Sequence, residues 1–479
     1  MDRAELDPAL ALVAERARAY LAGLDDAPLH APGVEEAAWR FDGPLPEEGA
    51  GAEATLARLL GEGLDATVAS AGPRNFHFVT GGVTPAALAA DWLASLLDQN
   101  SFAWIESPLG GQLERVALRW LRELFGLPAD WGGVLTTGAT MANFVCLGTA
   151  RRWWGERHDA DVDRDGFSGL PAVPVFSSGY VHATAIKALG MLGIGRGSVR
   201  TFASDPSGRL DRAALAEALA ALDGAPAILI GNAGEVNAGD FDPLDDLADL
   251  AHEHGAWLHV DGAFGLFARA SPETARLAAG VERAHSVIAD GHKWLNVPYD
   301  CGFAFVRDPS RLLPVFNASA AYLPQDDPER PNYGLLGPES SRRGRSFAVW
   351  ATLAAYGRQG YRELVERNVG HARLASDLVD AAPDLERLAP APLNIVCFRY
   401  RPEGVPEEAL DELNTRLGEA VLADGRVYVG TTRYAGSVAF RPAFVNWRTR
   451  EVDVRLLVDT IRELGAALRV ATGETRPGR

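Results

Sequence analysis

Two lysines in the chain are candidates for chemistry that arginine cannot perform. Among the 46 Lys and Arg residues, only Lys187 and Lys293 are lysines. A guanidinium group stays charged and cannot form a Schiff base, whereas an amine can lose its proton and attack a carbonyl carbon. Lys293 follows the strand-like run 286–289, in the segment 290–294 (Asp-Gly-His-Lys-Trp), while Lys187 lies in an amphipathic helical pattern. We therefore interpret Lys293 as the reactive amine and assign no role to Lys187.

A carboxylate ends a second strand-like run. Asp261 directly follows the apolar segment 257–260. The carboxyl ends of parallel strands meet at one edge of an open α/β sheet, and ligands bind at that edge. We expect Asp261 and Lys293 to face one ligand there. A lone Asp after a strand is more often a turn residue or a helix cap, so this interpretation depends on the lysine beside it.

Two further segments belong to the same predicted edge. The small and hydroxyl residues of 136–140 (Thr-Thr-Gly-Ala-Thr) lie between a strand and a helix, where backbone N–H groups can hold an anion such as a phosphate. Their spacing is neither that of a P-loop nor that of a Rossmann fingerprint, and an ordinary helix cap would use the same residue types. His182 begins a helix after another strand, and its imidazole could stack on a ligand ring.

Composition excludes several other classes of function. The formal net charge of −18 argues against nucleic acid or an anionic membrane as the main partner. His252, His254 and His259 lack the His-Glu-X-X-His spacing of zinc hydrolases, so we predict no metal site. The three cysteines are too few and too scattered for a disulfide framework. No apolar run approaches the roughly 20 residues that span a bilayer, and we expect a cytoplasmic protein.

The elements that must position these residues follow an alternating pattern. Strand-like and helical segments alternate from 132 to 306, which predicts an α/β fold with a mostly parallel central sheet flanked by helices. We expect a helical N-terminal segment over 1–90, a large domain over 91–375 and a small C-terminal α/β domain over 376–479. The segment 317–345 lacks periodicity and is long for a loop, which suggests a lid or a binding loop. Predicted helices of the later chain cover 346–377, 406–422 and 451–470, and predicted strands cover 394–400, 426–432 and 437–442.

Taken together, the motifs resemble those of the group II decarboxylases that depend on pyridoxal 5′-phosphate (PLP). The likeness follows most of the chain in order: the segments 75–80 (Asn-Phe-His-Phe-Val-Thr), 84–91 and 104–108 (Trp-Ile-Glu-Ser-Pro) precede those around Gly138, His182, Asp261 and Lys293. The resemblance implies PLP fold type I, which is the aspartate aminotransferase-like fold. It also implies decarboxylation of an L-amino acid by a homodimer with shared active sites.

The resemblance further implies a role for each matching residue. Lys293 would be the Schiff-base lysine, Asp261 would pair with the pyridinium nitrogen, and His182 would stack on the ring. Ala263 would pack on the other ring face, and Tyr322 would protonate Cα after carbon dioxide leaves. Around the phosphate would lie Gly138, Ala139, Thr140 and Asp290, and His292 would lie beside the lysine. An aromatic or other apolar substrate would contact Phe78, Thr80 and Phe102.

Three alternatives remain open from the sequence. The same fold supports decarboxylation-dependent aldehyde synthesis and transamination, and Tyr322 favours simple decarboxylation over the first of these. A non-catalytic scaffold is disfavoured because the lysine, the acid and the histidine are all present. Thr84 and Phe264 both stand where relatives often have tyrosine, so the identity of the substrate stays open.

Overall fold

The computed structural model describes residues 3–317, 327 and 329–471. Tyr322 therefore lies outside the described residues. The α-helices of the described part are α1 (Leu6–Gly23), α2 (Val34–Trp39), α3 (Ala52–Gly61), α4 (Pro85–Leu97), α5 (Pro108–Phe125), α6 (Ala139–Glu156), α7 (Ala183–Met191), α8 (Arg212–Ala220), α9 (Leu244–Glu253), α10 (Leu312–Phe316), α11 (Ser346–Ala381), α12 (Glu407–Asp424) and α13 (Glu451–Ala471). None of them is long and apolar enough to cross a membrane.

Seven strands of the described residues form the central sheet. They are β1 (Gly132–Thr136), β2 (Val175–Ser177), β3 (Val199–Thr201), β4 (Ile228–Asn232), β5 (Trp257–Asp261), β6 (Ser286–Asp290) and β7 (Gly302–Val306). The strand order is β1-β7-β6-β5-β4-β2-β3. Strand β7 is antiparallel to both of its neighbours, and the pairs among β3, β2, β4, β5 and β6 are parallel. The expected mostly parallel sheet flanked by helices is confirmed.

Local sequence explains where several helices start and stop. Thr84 caps α4 by accepting a hydrogen bond from the amide of Ala87 at 3.3 Å, and proline occupies the first helical position. Ser107 caps α5 in the same way, and Gly126 ends that helix in the left-handed conformation. Helices α4 and α5 both pack against α11.

The small sheet of the C-terminal part differs from the prediction. Its strands are β8 (Leu385–Arg387), β9 (Phe398–Tyr400), β10 (Thr431–Tyr434) and β11 (Ser437–Phe440), all antiparallel. Strand β8 is not among the predicted strands, and two of its three residues, Glu386 and Arg387, are charged. Strand β10 starts later than expected because the backbone around Tyr428 pairs with another segment. The Tyr428 amide donates to Arg74, and the Phe76 amide donates to Tyr428.

Helix α11 links the two sheets. It is broken at Gly357, whose φ of 59° lies in the left-handed region, whereas the pattern predicts one unbroken helix over 346–377. The predicted boundary between 375 and 376 falls inside α11, and the domain boundaries stay a prediction. The predicted loop 317–345 is described only in part. Its second half is irregular and includes one 3₁₀ turn, Tyr333–Leu335.

Candidate active site

The carboxyl ends of five strands surround one cavity of about 280 Å³. Each of β1, β2, β4, β5 and β6 is followed by residues that line it. In strand order these residues are Thr137, Gly138, Ala139, Thr140 and Met141; Tyr180, His182 and Thr184; Asn232, Gly234 and Val236; Asp261, Ala263 and Phe264; and Asp290, His292 and Lys293. The structure thus brings Lys293, Asp261, His182 and all the predicted cofactor-contacting residues together at the expected edge.

Lys293 lies on a single π-helical turn, Gly291–Leu295, directly after β6. Such turns are rare and occur often at functional sites. The Lys293 amine lies 3.2 Å from Oδ2 of Asp290. The turn packs tightly against the segment around Gly81, where a Cβ atom would lie 1.6 Å from the Lys293 carbonyl oxygen. Gly81 therefore permits the backbone contact that supports the lysine.

Asp261 is the last residue of β5 and is only 6% exposed. Its Oδ2 accepts a hydrogen bond from the side-chain amide of Asn143 at 2.9 Å, and its Oδ1 accepts one from the Ala263 amide at 3.2 Å. Within the described residues, no lysine or arginine forms an ion pair with Asp261. A buried carboxylate is costly unless it is paired, so this group can receive a cationic ligand atom.

Asp290 has a different environment, although it is also buried. Its Oδ1 accepts from the Ala139 amide at 2.5 Å and lies 3.5 Å from Nε2 of His292. Burial alone would raise the pKa of Asp290, but the charges and hydrogen bonds of Lys293 and His292 outweigh burial and lower it. Asp290 is thus an anion that ties the start of α6 to the lysine.

The start of α6 forms one wall of the cavity. Gly138 precedes it with φ 156° and ψ −179°, a conformation that is nearly restricted to glycine. A Cβ atom on Gly138 would lie 3.0 Å from Cε1 of His292. The first-turn amides of a helix have no partner within the helix. The Ala139 amide donates to Asp290, so the amides of Thr140 and Met141 can bind an anion.

His182 caps α7 and is exposed to the cavity. The Thr184 amide donates to its Nδ1 at 3.3 Å, so the proton of the neutral ring is on Nε2. Partial burial lowers the pKa of His182; Asp261 opposes this shift, and Lys293 and Arg441 add to it. The imidazole is therefore neutral at pH 7.

Three predicted substrate-contacting residues do not line the cavity within one chain. Phe78 is 67% exposed, and its φ of 53° is left-handed. Thr80 is buried, and its hydroxyl donates to the His77 carbonyl group. Phe102 packs with Ala103 and Leu335. Their contact with substrate stays a prediction.

The sequence patterns did not identify several residues of the site. Asn143 donates to Asp261 from α6. Asn232 and Tyr180 line the cavity. Arg441 is close enough to lower the pKa of His182. Arg441 directly follows β11 and donates to the Val236 carbonyl group at 3.2 Å. A polar residue at a predicted strand end is the only sequence signal for Asn232. The described residues contain no cluster of three or more potential metal ligands.

The chain is similar to known proteins over most of its length. The family model described as the pyridoxal-dependent decarboxylase conserved domain matches residues 61–401. The aromatic-L-amino-acid decarboxylase of Bacillus atrophaeus is 29% identical over 406 residues, which cover 83% of this chain and 82% of the relative. The L-2,4-diaminobutyrate decarboxylase of Rhizobium meliloti (strain 1021) is 30% identical over 440 residues, which cover 91% and 86%. The crystal structure of Oryza sativa TDC with PLP and tryptamine has a TM-score of 0.88 and 27% identity, covering 98% of this chain and 99% of that one.

Proposed function

The chain belongs to the pyridoxal-dependent decarboxylase family, and from that premise we propose that Lys293 and Asp261 hold PLP while an aromatic or other apolar L-amino acid loses its carboxylate. The protein is a PLP-dependent carboxy-lyase. The observation that carries the residue assignment is the position of both side chains at one cavity, at the carboxyl ends of neighbouring parallel strands.

The donor set fits the cofactor. Asp261 is a buried carboxylate with no cationic partner among the described residues, and a protonated pyridine nitrogen supplies one. Gly138 leaves room beside His292, and the start of α6 suits a phosphate. When bound, PLP supplies an electron sink for the pair of electrons left by the departing carboxylate.

Cofactor binding, protonation of the ring nitrogen and proton transfer to Cα are assigned to residues of the chain. Lys293 would hold the cofactor through its amine, and Asp261 would keep the ring nitrogen protonated. The neutral ring of His182 would lie against the cofactor ring. Tyr322, which lies outside the described residues, would donate the proton that Cα needs when carbon dioxide leaves.

The substrate class is supported by the side chains around the cavity. Met141, Tyr180 and Phe264 contribute apolar surface there, and the relative from Bacillus atrophaeus is an aromatic-L-amino-acid decarboxylase. Incubation of the purified enzyme with individual amino acids and mass spectrometry of the products tests this proposal. We expect the amine of an aromatic or apolar amino acid. Selective turnover of a charged amino acid would contradict the substrate class, and an aldehyde product would contradict simple decarboxylation.

The two lysines allow a matched test of the site. We expect Lys293→Ala to lose both decarboxylation and the visible absorbance of lysine-bound PLP, because no other lysine reaches the cavity. Lys187 is exposed on α7 and outside the cavity, so Lys187→Ala should retain both properties. Visible absorbance that persists in Lys293→Ala would refute the assignment of Lys293.

A homodimer with shared active sites is the proposed assembly. Six large apolar side chains are exposed on α4, just before α5 and within α5: Trp92, Leu93, Leu96, Leu97, Ile105 and Leu109. Such a patch is expected for a surface that a second copy covers. Sedimentation equilibrium should give twice the chain mass, and Leu96→Asp together with Ile105→Asp should shift the protein towards monomer. A wild-type monomer at micromolar concentration would contradict the proposal.

A further inference from the structure

A row of buried polar side chains lies behind Asp261, between β5 and α6. Trp257, His259 and Asp261 alternate along β5 and therefore share one face of the sheet. Ser286 pairs in register with His259 on the neighbouring strand, and Asn143 approaches from α6. The exposed fractions of these five side chains range from 0% to 6%.

The carboxylate determines the direction of every hydrogen bond in this row. An ionised carboxylate only accepts, so Asn143 must present its NH₂ group to Oδ2 of Asp261, at 2.9 Å, and its oxygen to the other side. That oxygen lies 2.8 Å from Nε2 of His259, so Nε2 must carry a proton. Asp261 thus fixes the orientation of the amide and, through it, the tautomer of His259.

The far end of the row continues in the same direction. Nδ1 of His259 lies 2.9 Å from Oγ of Ser286, and the indole N–H of Trp257 donates to that oxygen at 3.0 Å. Complete burial lowers the pKa of His259 to about 4, opposed by the charge of Asp261. The ring is therefore neutral, its Nδ1 accepts from the Ser286 hydroxyl, and all donors in the row are directed towards Asp261.

We propose that the chain from Ser286 through His259 to Asn143 positions the Asp261 carboxylate for the cofactor. Asn143, His259 and Ser286 do not line the cavity, so none of them contacts substrate. Their neighbours Ala142, Val145 and Cys146 are apolar and fully buried, and apolar side chains could fill this layer without the cost of burying polar groups. A fully satisfied polar network specifies one geometry. Of the five side chains in the row, Asp261 alone lines the cavity, and Asn143 also donates to the Thr184 hydroxyl at 3.5 Å. His259 is thus a positioning residue.

This inference rests on the proposed function, and two variants of His259 test it. His259→Gln keeps a side-chain N–H for Asn143, whereas His259→Leu has a similar volume and no donor. We expect the dissociation constant for PLP to rise about 10-fold in His259→Leu, which is the size of one buried hydrogen bond. The kcat per bound cofactor should fall by about the same factor with KM unchanged, and His259→Gln should recover most of both losses.

Ser286→Ala gives a second measurement if His259→Leu does not fold. It keeps His259 and Asn143 but removes the donor to Nδ1, so we expect smaller changes in the same two quantities. The proposal is overturned if His259→Leu or Ser286→Ala binds PLP and turns over like the wild type. It is also overturned if the Gln and Leu variants lose the same amount, because that result shows a role in packing alone. A wild-type protein without visible PLP absorbance would instead contradict the proposed site.

Discussion

Two buried carboxylates in one cavity have opposite charge environments. Asp290 has the Lys293 amine at 3.2 Å and the His292 ring at 3.5 Å. Among the described residues, the donors to Asp261 are the neutral amides of Asn143 and Ala263. The Lys293 amine thus offsets the negative charge of Asp290. Asp261 is the group whose charge is available to a bound cation.

Asp261→Asn tests this difference at the scale of a single residue. The amide keeps the size of the carboxylate but removes the charge that would hold the ring nitrogen protonated. We expect kcat to fall by about 100-fold or more, as is typical when a group that stabilises developing charge is removed, while Lys293 still binds PLP. A kcat within about threefold of the wild type, measured on protein with full cofactor content, would be inconsistent with the proposed role.

At the scale of elements, a buried ion pair holds the strand that leads into the cavity. The Arg342 guanidinium donates to both oxygens of Glu114 on α5, at 2.9 and 3.0 Å, and to the Leu135 carbonyl group of β1 at 2.6 Å. The Leu135 amide in turn donates to Glu114 at 3.0 Å. Both charged side chains are at most 3% exposed. The pair thus joins α5, β1 and the segment before α11.

Glu114→Gln should destabilise the fold strongly because it leaves the Arg342 charge buried without a counter-charge. Breaking one partner of such a pair typically costs about 3–5 kcal/mol. The neighbouring pair of Arg343 and Asp91 is 41% and 25% exposed, so Asp91→Asn should cost less than about 1 kcal/mol. Denaturant midpoints of both variants measure this contrast. Equal midpoints would show that burial of the Glu114–Arg342 pair does not increase its contribution to stability.

For the molecule as a whole, buried histidines make stability depend on pH. Burial is the main cause that lowers the pKa of His77, His259 and His285 to about 4 each. Between pH 6.5 and 4 the unfolded chain therefore binds more protons than the folded one, so stability falls as pH falls. Asp242 opposes this trend, because burial raises its pKa to about 6 and the folded state gains its proton first.

We expect the melting temperature to decrease from pH 7 to pH 5. His259 and His285 contribute up to about 1.4 kcal/mol each per pH unit. The Leu258 amide donates to Nδ1 of His285, and an asparagine oxygen can accept the same bond. His285→Asn should therefore show a smaller decrease than the wild type, and identical decreases would show that His285 does not contribute.

Local patterns in the sequence were sufficient to predict that Lys293 and Asp261 lie at one edge of the sheet, and both line the same cavity. The residue type of Lys293 limits its chemistry, and the position of Asp261 after an apolar run places it at a strand end. The alternation of strands and helices likewise predicted a mostly parallel sheet, because crossover connections leave few other arrangements. These features depend on residues that are close together in the chain, so they can be recognised from the sequence alone.

Contacts between distant segments could be found only in the folded molecule. The pairing of β7 with β1, the pairing of Tyr428 with the segment 74–76, and the approach of Asn143 to Asp261 each join residues far apart in the chain. His259 illustrates the difference. From the sequence, the one role considered for this histidine is that of a metal ligand, and its spacing from His252 and His254 argues against that role. Its neighbours Ser286 and Asn143 come from another strand and a helix, and the packing of those elements gives the imidazole its hydrogen-bond partners.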